Sequence, residues 1–268
     1  MNESPFRLEP AFYEKIWGVS SLEPWFHSPG GRVGEVWFHA PGMERLPILV
    51  KFISTAQRLS VQVHPDDAYA QTHEDSPGGK TEIWYVLRAE PGARLAAGFA
   101  EPISHERARE AAQSGEIEHL LRWWRVSPGQ VYFIPAGTVH ALGAGITLCE
   151  IQQNNPITYR LYDYGRPREL HLERALDVSL LCPHPGPVTP EGNMLASCRH
   201  FVAERLDLAG GLYQPAHARF HLLIVLEGTG HLGSESFVPG EVWYVPAGSK
   251  PFTLTASPDA KLLRTYVP

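Results

Sequence analysis

An all-β protein with minor helix, built as two similar barrel or jelly-roll units in tandem, is what this sequence predicts, and three observations carry the prediction. First, 24 glycines and 24 prolines in 268 residues stand well above the roughly 12% of average usage. Together with 7 Trp, 10 Tyr and 11 Phe, that turn chemistry favours many short strands over long helices. Second, short β-branched or aromatic runs bounded by Gly and Pro recur along the chain. Third, the chain repeats itself. Pro128–His140 reads PGQVYFIPAGTVH and Pro239–Pro251 reads PGEVWYVPAGSKP, with six positions identical and three more exchanging one aromatic or aliphatic residue for another. Each copy follows a strand that ends in a turn, IWYVLRAEPG at Ile83–Gly92 and HLLIVLEGTG at His221–Gly230. Turn, buried strand, Pro-Ala-Gly corner and next strand, written twice, predict two β units.

In chain order, strands are expected at Gly34–Ala40, Ile48–Ile53, Leu59–Val63, Glu82–Arg88, Gln130–Ile134 and Ile146–Ile151. Two segments read as helix. Ile103–Gly115 has Ser104 as its cap and good helix formers after it, and Glu116–Trp124 continues it as a helical hairpin. Pro183–Pro190 (PHPGPVTP) holds four prolines in eight residues, which no sheet interior tolerates. The expected organisation is a first unit over 1–182 with a helical insertion at about 103–124, a linker over 183–190, and a second unit over 191–268.

Composition narrows the function classes. With 29 acidic against 23 basic side chains and a net charge of −6, the chain lacks the basic excess that displaces counterions from nucleic acid. No apolar run approaches the roughly 18 residues of a spanning helix, and Met1–Pro10 carries no signal segment. Three separated cysteines, Cys149, Cys182 and Cys198, fit a reducing compartment. A cytoplasmic protein with no membrane or nucleic-acid partner is expected.

The PG…PAG-x-x-H pattern at Pro128–His140 resembles the second conserved motif of the cupins, whose barrel strands point side chains into a lumen where a metal can sit. Four residues then draw attention: Gln62 and His64 in VQVHPDD, Glu82 in GGKTEIWYVL, and His140 in PAGTVHALG. Gln62 and His64 are two apart, so on a strand they share a face. One amide oxygen, two imidazoles and one carboxylate make an N/O site suited to zinc, or to iron, manganese or cobalt, of the kind that keeps a position open for substrate. Nine other histidines, among them His171, His184 and His200, carry no partner pattern. Asp66 and Asp67 are expected to cap Ala68–Thr72.

These segments together resemble the type I mannose-6-phosphate isomerases, a zinc-dependent cupin family, in its short bacterial form. The resemblance covers most of the first 175 residues: Lys15–Gly18 (KIWG), QVHPDD, GKTE, PAGTVHAL and Gln152–Arg166 (QQNNPITYRLYDYGR). By matched position it implies Gln62, His64, Glu82 and His140 as ligands of one zinc per chain, with Lys80 and Arg160 as active-site residues. It further implies two tandem cupin barrels, a small sugar-phosphate substrate, interconversion of mannose 6-phosphate and fructose 6-phosphate through a cis-enediol, and a monomer or homodimer. The enediolate's negative charge wants a cation nearby. A lysine beside zinc would have a lowered pKa and could move the proton, and Arg160 offers a permanent forked cation. One departure is expected: where the family shows an acidic residue a few positions before the arginine, this chain has Pro156. Either that carboxylate is dispensable, or Glu150 or Asp163 covers it, or the substrate differs. Two rival readings are a non-catalytic sugar-phosphate-binding cupin and an Fe(II) cupin oxygenase. In the second repeat Pro251 stands where His140 does in the first, so the second barrel is expected to be metal-free, with His217 and His221 as the alternative ligands there.

Overall fold

A computed structural model of the chain describes residues 4–43, 45–206, 208, 211–215 and 218–268. It begins with β1 (Phe6–Arg7), β2 (Glu9–Val19), β3 (Val33–His39), β4 (Ile48–Thr55) and β5 (Val61–Val63), followed by α1 (Asp67–His73). Next come β6 (Glu82–Ala89), β7 (Arg94–Phe99), α2 (His105–Ser114), α3 (Ile117–Leu120) and β8 (Leu121–Arg125). β9 (Val131–Ile134), β10 (His140–Leu142), β11 (Ile146–Gln153), β12 (Tyr159–Tyr162) and α4 (Leu172–Val178) complete the metal-motif half. The remainder is strand: β13 (Met194–Ser197), β14 (Val202–Arg205), β15 (Gly211–Tyr213), β16 (His221–Glu227), β17 (Gly230–Leu232), β18 (Glu235–Phe237), β19 (Val242–Val245), β20 (Phe252–Ala256) and β21 (Lys261–Tyr266). The chain is mostly β with few helices, and none of the described helices is long and apolar enough to cross a membrane.

The strands form four antiparallel sheets. A six-stranded sheet in the order β2-β3-β4-β11-β6-β9 faces a five-stranded one, β12-β5-β10-β7-β8; a second six-stranded sheet, β1-β19-β16-β21-β14-β13, faces a four-stranded one, β15-β20-β17-β18. Alternation along the strands explains the stacking. In β4, β6 and β11 one set of side chains (Phe52, Ile83, Cys149, Ile151) packs in a core with Leu222, Ile224, Leu263 and Phe201 of the second six-stranded sheet and its loops. The alternate set (Lys51, Glu82, Trp84, Glu150) turns the other way. Both faces of β4, β6 and β11 in this central sheet are therefore covered, which is why these strands read as mostly apolar runs interrupted by a few buried charges.

The repeat folds alike in its two copies. Gly129 N donates to Val86 O at 2.8 Å and Gly240 N to Val225 O at 2.9 Å, while Val86 N and Val225 N donate back to Gln130 O and Glu241 O, each at 2.9 Å. Gly129 and Gly240 have φ of 85° and 88°, a turn conformation that glycine adopts without steric penalty.

One expectation needs revision. Glu116–Trp124 is not one helix: α3 stops at Leu120, and Leu121–Arg125 is β8, whose Trp123 and Trp124 lie opposite Ala96 and Leu95 of β7 and cover that sheet's edge. The aromatic pair outweighs the helical residues before it. β1 lies before residue 182 yet pairs with β19, Phe6 opposite Tyr244. The connecting segment Pro183–Pro190 lies along the first half: Pro183 bridges Gly98, His184 Nε2 donates to Phe133 O at 2.8 Å, and Val188 N donates to Val131 O at 2.7 Å. Ser104 caps α2 through a bond from Arg107 N, as expected.

Candidate metal centre and active-site cleft

Between the central sheet and the five-stranded sheet lies a cleft of about 310 Å³. Each wall is a cross-strand row. On the five-stranded sheet, Gln62 sits in register with His140 on one side and with Arg160 on the other. On the central sheet, Trp37, Lys51, Glu150 and Trp84 are consecutive register partners across β3, β4, β11 and β6. Glu82 sits one pleat further along β6 and His64 just past the end of β5.

The structure brings the four expected ligands together. His140 Nε2 lies 3.5 Å from Glu82 Oε1 and His64 Nε2 lies 3.7 Å from Glu82 Oε2. All three residues are at most 1% exposed, and their ligand atoms fall within 4.8 Å of one another. Atoms about 2.1 Å from a tetrahedral ion are about 3.4 Å apart, so the spacing suits one ion. Each imidazole is already oriented. His64 Nδ1 donates to Ile157 O and His140 Nδ1 to Thr138 O, both at 2.8 Å, which leaves the Nε2 lone pairs aimed at the cluster. Burial, with Lys80 beside it, holds the His64 imidazole well below its ordinary value, and burial brings His140 down to about 4; both are neutral, as ligation requires. Gln62 Nε2 is 3.2 Å from His140 Nε2 and its Oε1 accepts from Ser60 Oγ at 3.1 Å, so a half-turn of the amide would present the oxygen. Neither Glu82 oxygen has a well-directed hydrogen bond although both are buried, and burial with Glu150 nearby raises this carboxyl to about 7. A buried carboxylate set between two oriented, neutral imidazoles, with Lys80 as its one close cation among the described residues, is a donor set that fits a divalent cation.

Lys80 is no solvated turn residue. It is 5% exposed, with Nζ 2.9 Å from Glu82 Oε2, 3.0 Å from His64 Nε2 and 4.0 Å from Glu150 Oε1. Burial alone would lower the ammonium, but Glu150 and Glu82 outweigh it and raise its pKa. The expected downward shift is thus reversed among the chain's own groups. Arg160 lines the cleft, makes no ion pair among the described residues, and leaves Nε buried without a partner. Asp163 does not serve it: that carboxylate takes Arg168 through two bonds of 2.6 and 2.7 Å.

Sequence reasoning offered Glu150 as a stand-in for the carboxylate missing at Pro156, but passed over Lys51 and His171 in this cleft. Glu150 stands inside it, accepting from Lys51 Nζ at 2.9 Å and from Trp84 Nε1 at 3.0 Å. The cleft therefore keeps an acidic side chain even though Pro156 lines its wall. Lys51 had a readable signal, a lone charge in the apolar run ILVKFIST, and Glu150 the same in ITLCEIQQ. His171, set aside as a bystander, lines the cleft, and its Nδ1 accepts from Arg160 N at 3.3 Å; nothing in its local pattern marks it. In the second half His217 lies outside the described residues. His221 is buried against Tyr213 OH, 3.1 Å from Nδ1.

Fold and site define a mostly-β protein with a buried, metal-capable His–Glu centre opening on a cleft of lysine, arginine and glutamate. No protein-family model matches the chain. Among curated proteins it is 32% identical to the mannose-6-phosphate isomerase ManA of Bacillus subtilis over an alignment of 310 positions, 95% of this chain and 96% of that one. It is 38% identical to the mannose-6-phosphate isomerase of Streptococcus mutans over 200 positions, 69% of this chain and 62% of the relative. The crystal structure of the mannose 6-phosphate isomerase from Bacillus subtilis superposes with a TM-score of 0.86 at 28% identity, covering 98% and 99% of the two chains. The chain belongs to the mannose-6-phosphate isomerase family.

Proposed function

We propose that this protein is a metal-dependent aldose–ketose isomerase interconverting mannose 6-phosphate and fructose 6-phosphate. The observation that carries the reading is the meeting, in one cleft, of the His64–Glu82–His140 cluster with Lys80 and Arg160 in a chain of this family. His64, Glu82 and His140, with Gln62 beside them, would hold one ion, for which zinc suits the N/O donor set. Once bound, the ion supplies Lewis-acid stabilisation for negative charge on the sugar oxygens at C1 and C2.

The chain's own groups do the rest. Lys80 Nζ, in its ammonium form, gives a proton to the aldehyde oxygen at C1, and the amine so formed takes the proton from C2, leaving a C1=C2 enediol. The same nitrogen, again an ammonium, then gives a proton to C1, and the amine left behind takes the proton from the O2 hydroxyl, so C2=O forms and the ammonium is restored. Glu150 holds Lys51 and Lys80 in place, and the cations face the developing oxyanion. Arg160 stands toward the β12 edge of the cleft, where Arg168 and His171 also line it; a phosphate there would meet permanent forked donors.

On architecture, we read residues 1–182 as the metal-bearing cupin barrel with its insertion near 103–124. Residues 183–190 are the connection, and 191–268 a second cupin barrel, metal-free because Pro251 replaces the ligand histidine. The likeness of the two repeat copies supports it. Three free cysteines support a reducing, cytoplasmic setting.

The test is a coupled assay of mannose 6-phosphate turnover by metal-loaded protein, with His140→Ala and a chelated sample alongside. Turnover that disappears in both controls is expected. No turnover by protein shown to hold one metal per chain would overturn the assignment.

A further inference from the structure

Lys80 reaches the ligand cluster from a short strap, Gly78–Thr81, and what fixes that strap lies outside the cleft. Gly79 rests directly on the turn after His64: a Cβ there would meet Pro65 O at 2.3 Å and the Asp66 carbonyl carbon at 2.4 Å. Lys80 N donates to Pro65 O at 2.9 Å. The side chain that ties the pieces together is Asp67. Its Oδ1 accepts from Gly79 N at 2.8 Å and from Gln153 Nε2 at 2.9 Å, and Gln153 Oε1 in turn accepts from Thr81 N at 2.8 Å. Its Oδ2 accepts from Arg199 Nη2 at 2.8 Å, with His200 Nε2 3.8 Å away. Arg199 and His200 follow β13, in the half of the chain none of whose described residues lines the cleft.

We infer that Asp67 is a positioning residue for Lys80, and that Arg199 makes the second half of the chain a brace for the active site. One carboxylate joins the His64 turn, the strap before Lys80, the end of β11 and the partner sheet's loop. The two oxygens divide the work, since Oδ1 places the strap while Oδ2 is anchored from across the molecule. Asp67 touches neither the ligand atoms nor the cleft, so its loss acts on how Lys80 is held rather than on what binds. Displacing a reacting group by about 1 Å can cost up to 10²-fold in rate with little change in binding. The role deepens the isomerase reading and rests on it for its kinetic arm.

The experiment pairs amide hydrogen exchange with steady-state kinetics on the full-length, metal-loaded chain. Wild type, Asp67→Ala, Asp67→Asn, Arg199→Ala and Arg199→Lys are compared. Asp67→Ala is expected to speed exchange at Gly79–Thr81 and to lower kcat roughly ten-fold or more, with KM within about two-fold and metal content unchanged. Asp67→Asn keeps the acceptor for Gly79 N and recovers most of kcat. Arg199→Ala, at a site where the side chain is 72% exposed, gives a smaller loss of the same kind, and Arg199→Lys restores part of it. Unchanged exchange at Gly79–Thr81 and unchanged kcat in both alanine variants would overturn the inference. So would a loss confined to KM, or faster exchange spread over the whole molecule. Should wild type fail to isomerise, the exchange comparison still decides the brace, separately from the isomerase assignment.

Discussion

Lys51 and Glu150 are charges buried in the middle of apolar strands, 5% and 3% exposed, and such charges persist only when paired and hydrogen-bonded. Glu150 is: Lys51 and Trp84 bond its two oxygens, and Lys80 stands 4.0 Å away. Burial would raise this carboxyl, but the two lysines outweigh it and hold it well below the usual carboxylate range. Glu150→Gln keeps the shape, removes the negative charge, and turns one acceptor into a donor facing Lys51 or Trp84. The expected result is a loss of kcat of about 10²-fold with metal content retained, and a destabilisation of about 3–5 kcal/mol in denaturant unfolding. Wild-type kcat in this variant would remove Glu150 from the reaction. The ligand residues were legible one by one, because QVH on a strand and H after PAG are local patterns. The Lys51–Glu150 pair was not, because residues 99 positions apart meet only through the register of β4 against β11.

At the scale of elements, the repeat and the apolar strands were readable because turn glycines and both-face burial leave local marks. β2 was not: EPAFYEKIWGV mixes three charges and a proline with its apolar residues and is exposed or half-buried along most of its length. Its place comes from pairing with β3 and not from its own pattern. The strap before β6 belongs to the same scale. Gly78 and Gly79 are adjacent but differ in what a methyl group would meet: Asp67 Oδ1 at 3.2 Å for the first, backbone of Pro65 and Asp66 at 2.3–2.7 Å for the second. Gly79→Ala must therefore lift the strap from the His64 turn, carrying Lys80 with it, while Gly78→Ala requires only a small adjustment. Gly79→Ala is expected to lower kcat about ten-fold or more and Gly78→Ala several-fold less, read in the same assay on protein of matched metal content. Equal kinetics for the two variants would show that the strap's contact does not set the position of Lys80.

Across the whole molecule the decisive feature is the core between the two six-stranded sheets. It takes Phe52, Ile83 and Ile151 from one half of the chain and Phe201, Leu222, Ile224 and Leu263 from the other, while β1 crosses over to pair with β19. The repeat predicts two units; it could not announce that the two halves of the chain share a core, since the apolar residues on the shared face look like any strand interior. Consequences for stability follow from the magnitudes. Fully burying a large aliphatic or aromatic side chain contributes about 1.5–3 kcal/mol, so uncovering only four such residues would cost on the order of 6–12 kcal/mol. That is comparable with the roughly 5–15 kcal/mol that holds a typical domain together. Neither half is expected to tolerate the loss of the other. The chain is expected to unfold in one cooperative transition, with tryptophan fluorescence and far-ultraviolet circular dichroism tracing the same curve. A fragment ending at residue 182 is expected to aggregate or bind a hydrophobic dye despite keeping every ligand of the metal cluster. Two separated transitions, or a soluble 1–182 fragment that takes up one metal and turns over substrate, would show that the first half stands alone and that the second is dispensable to the site.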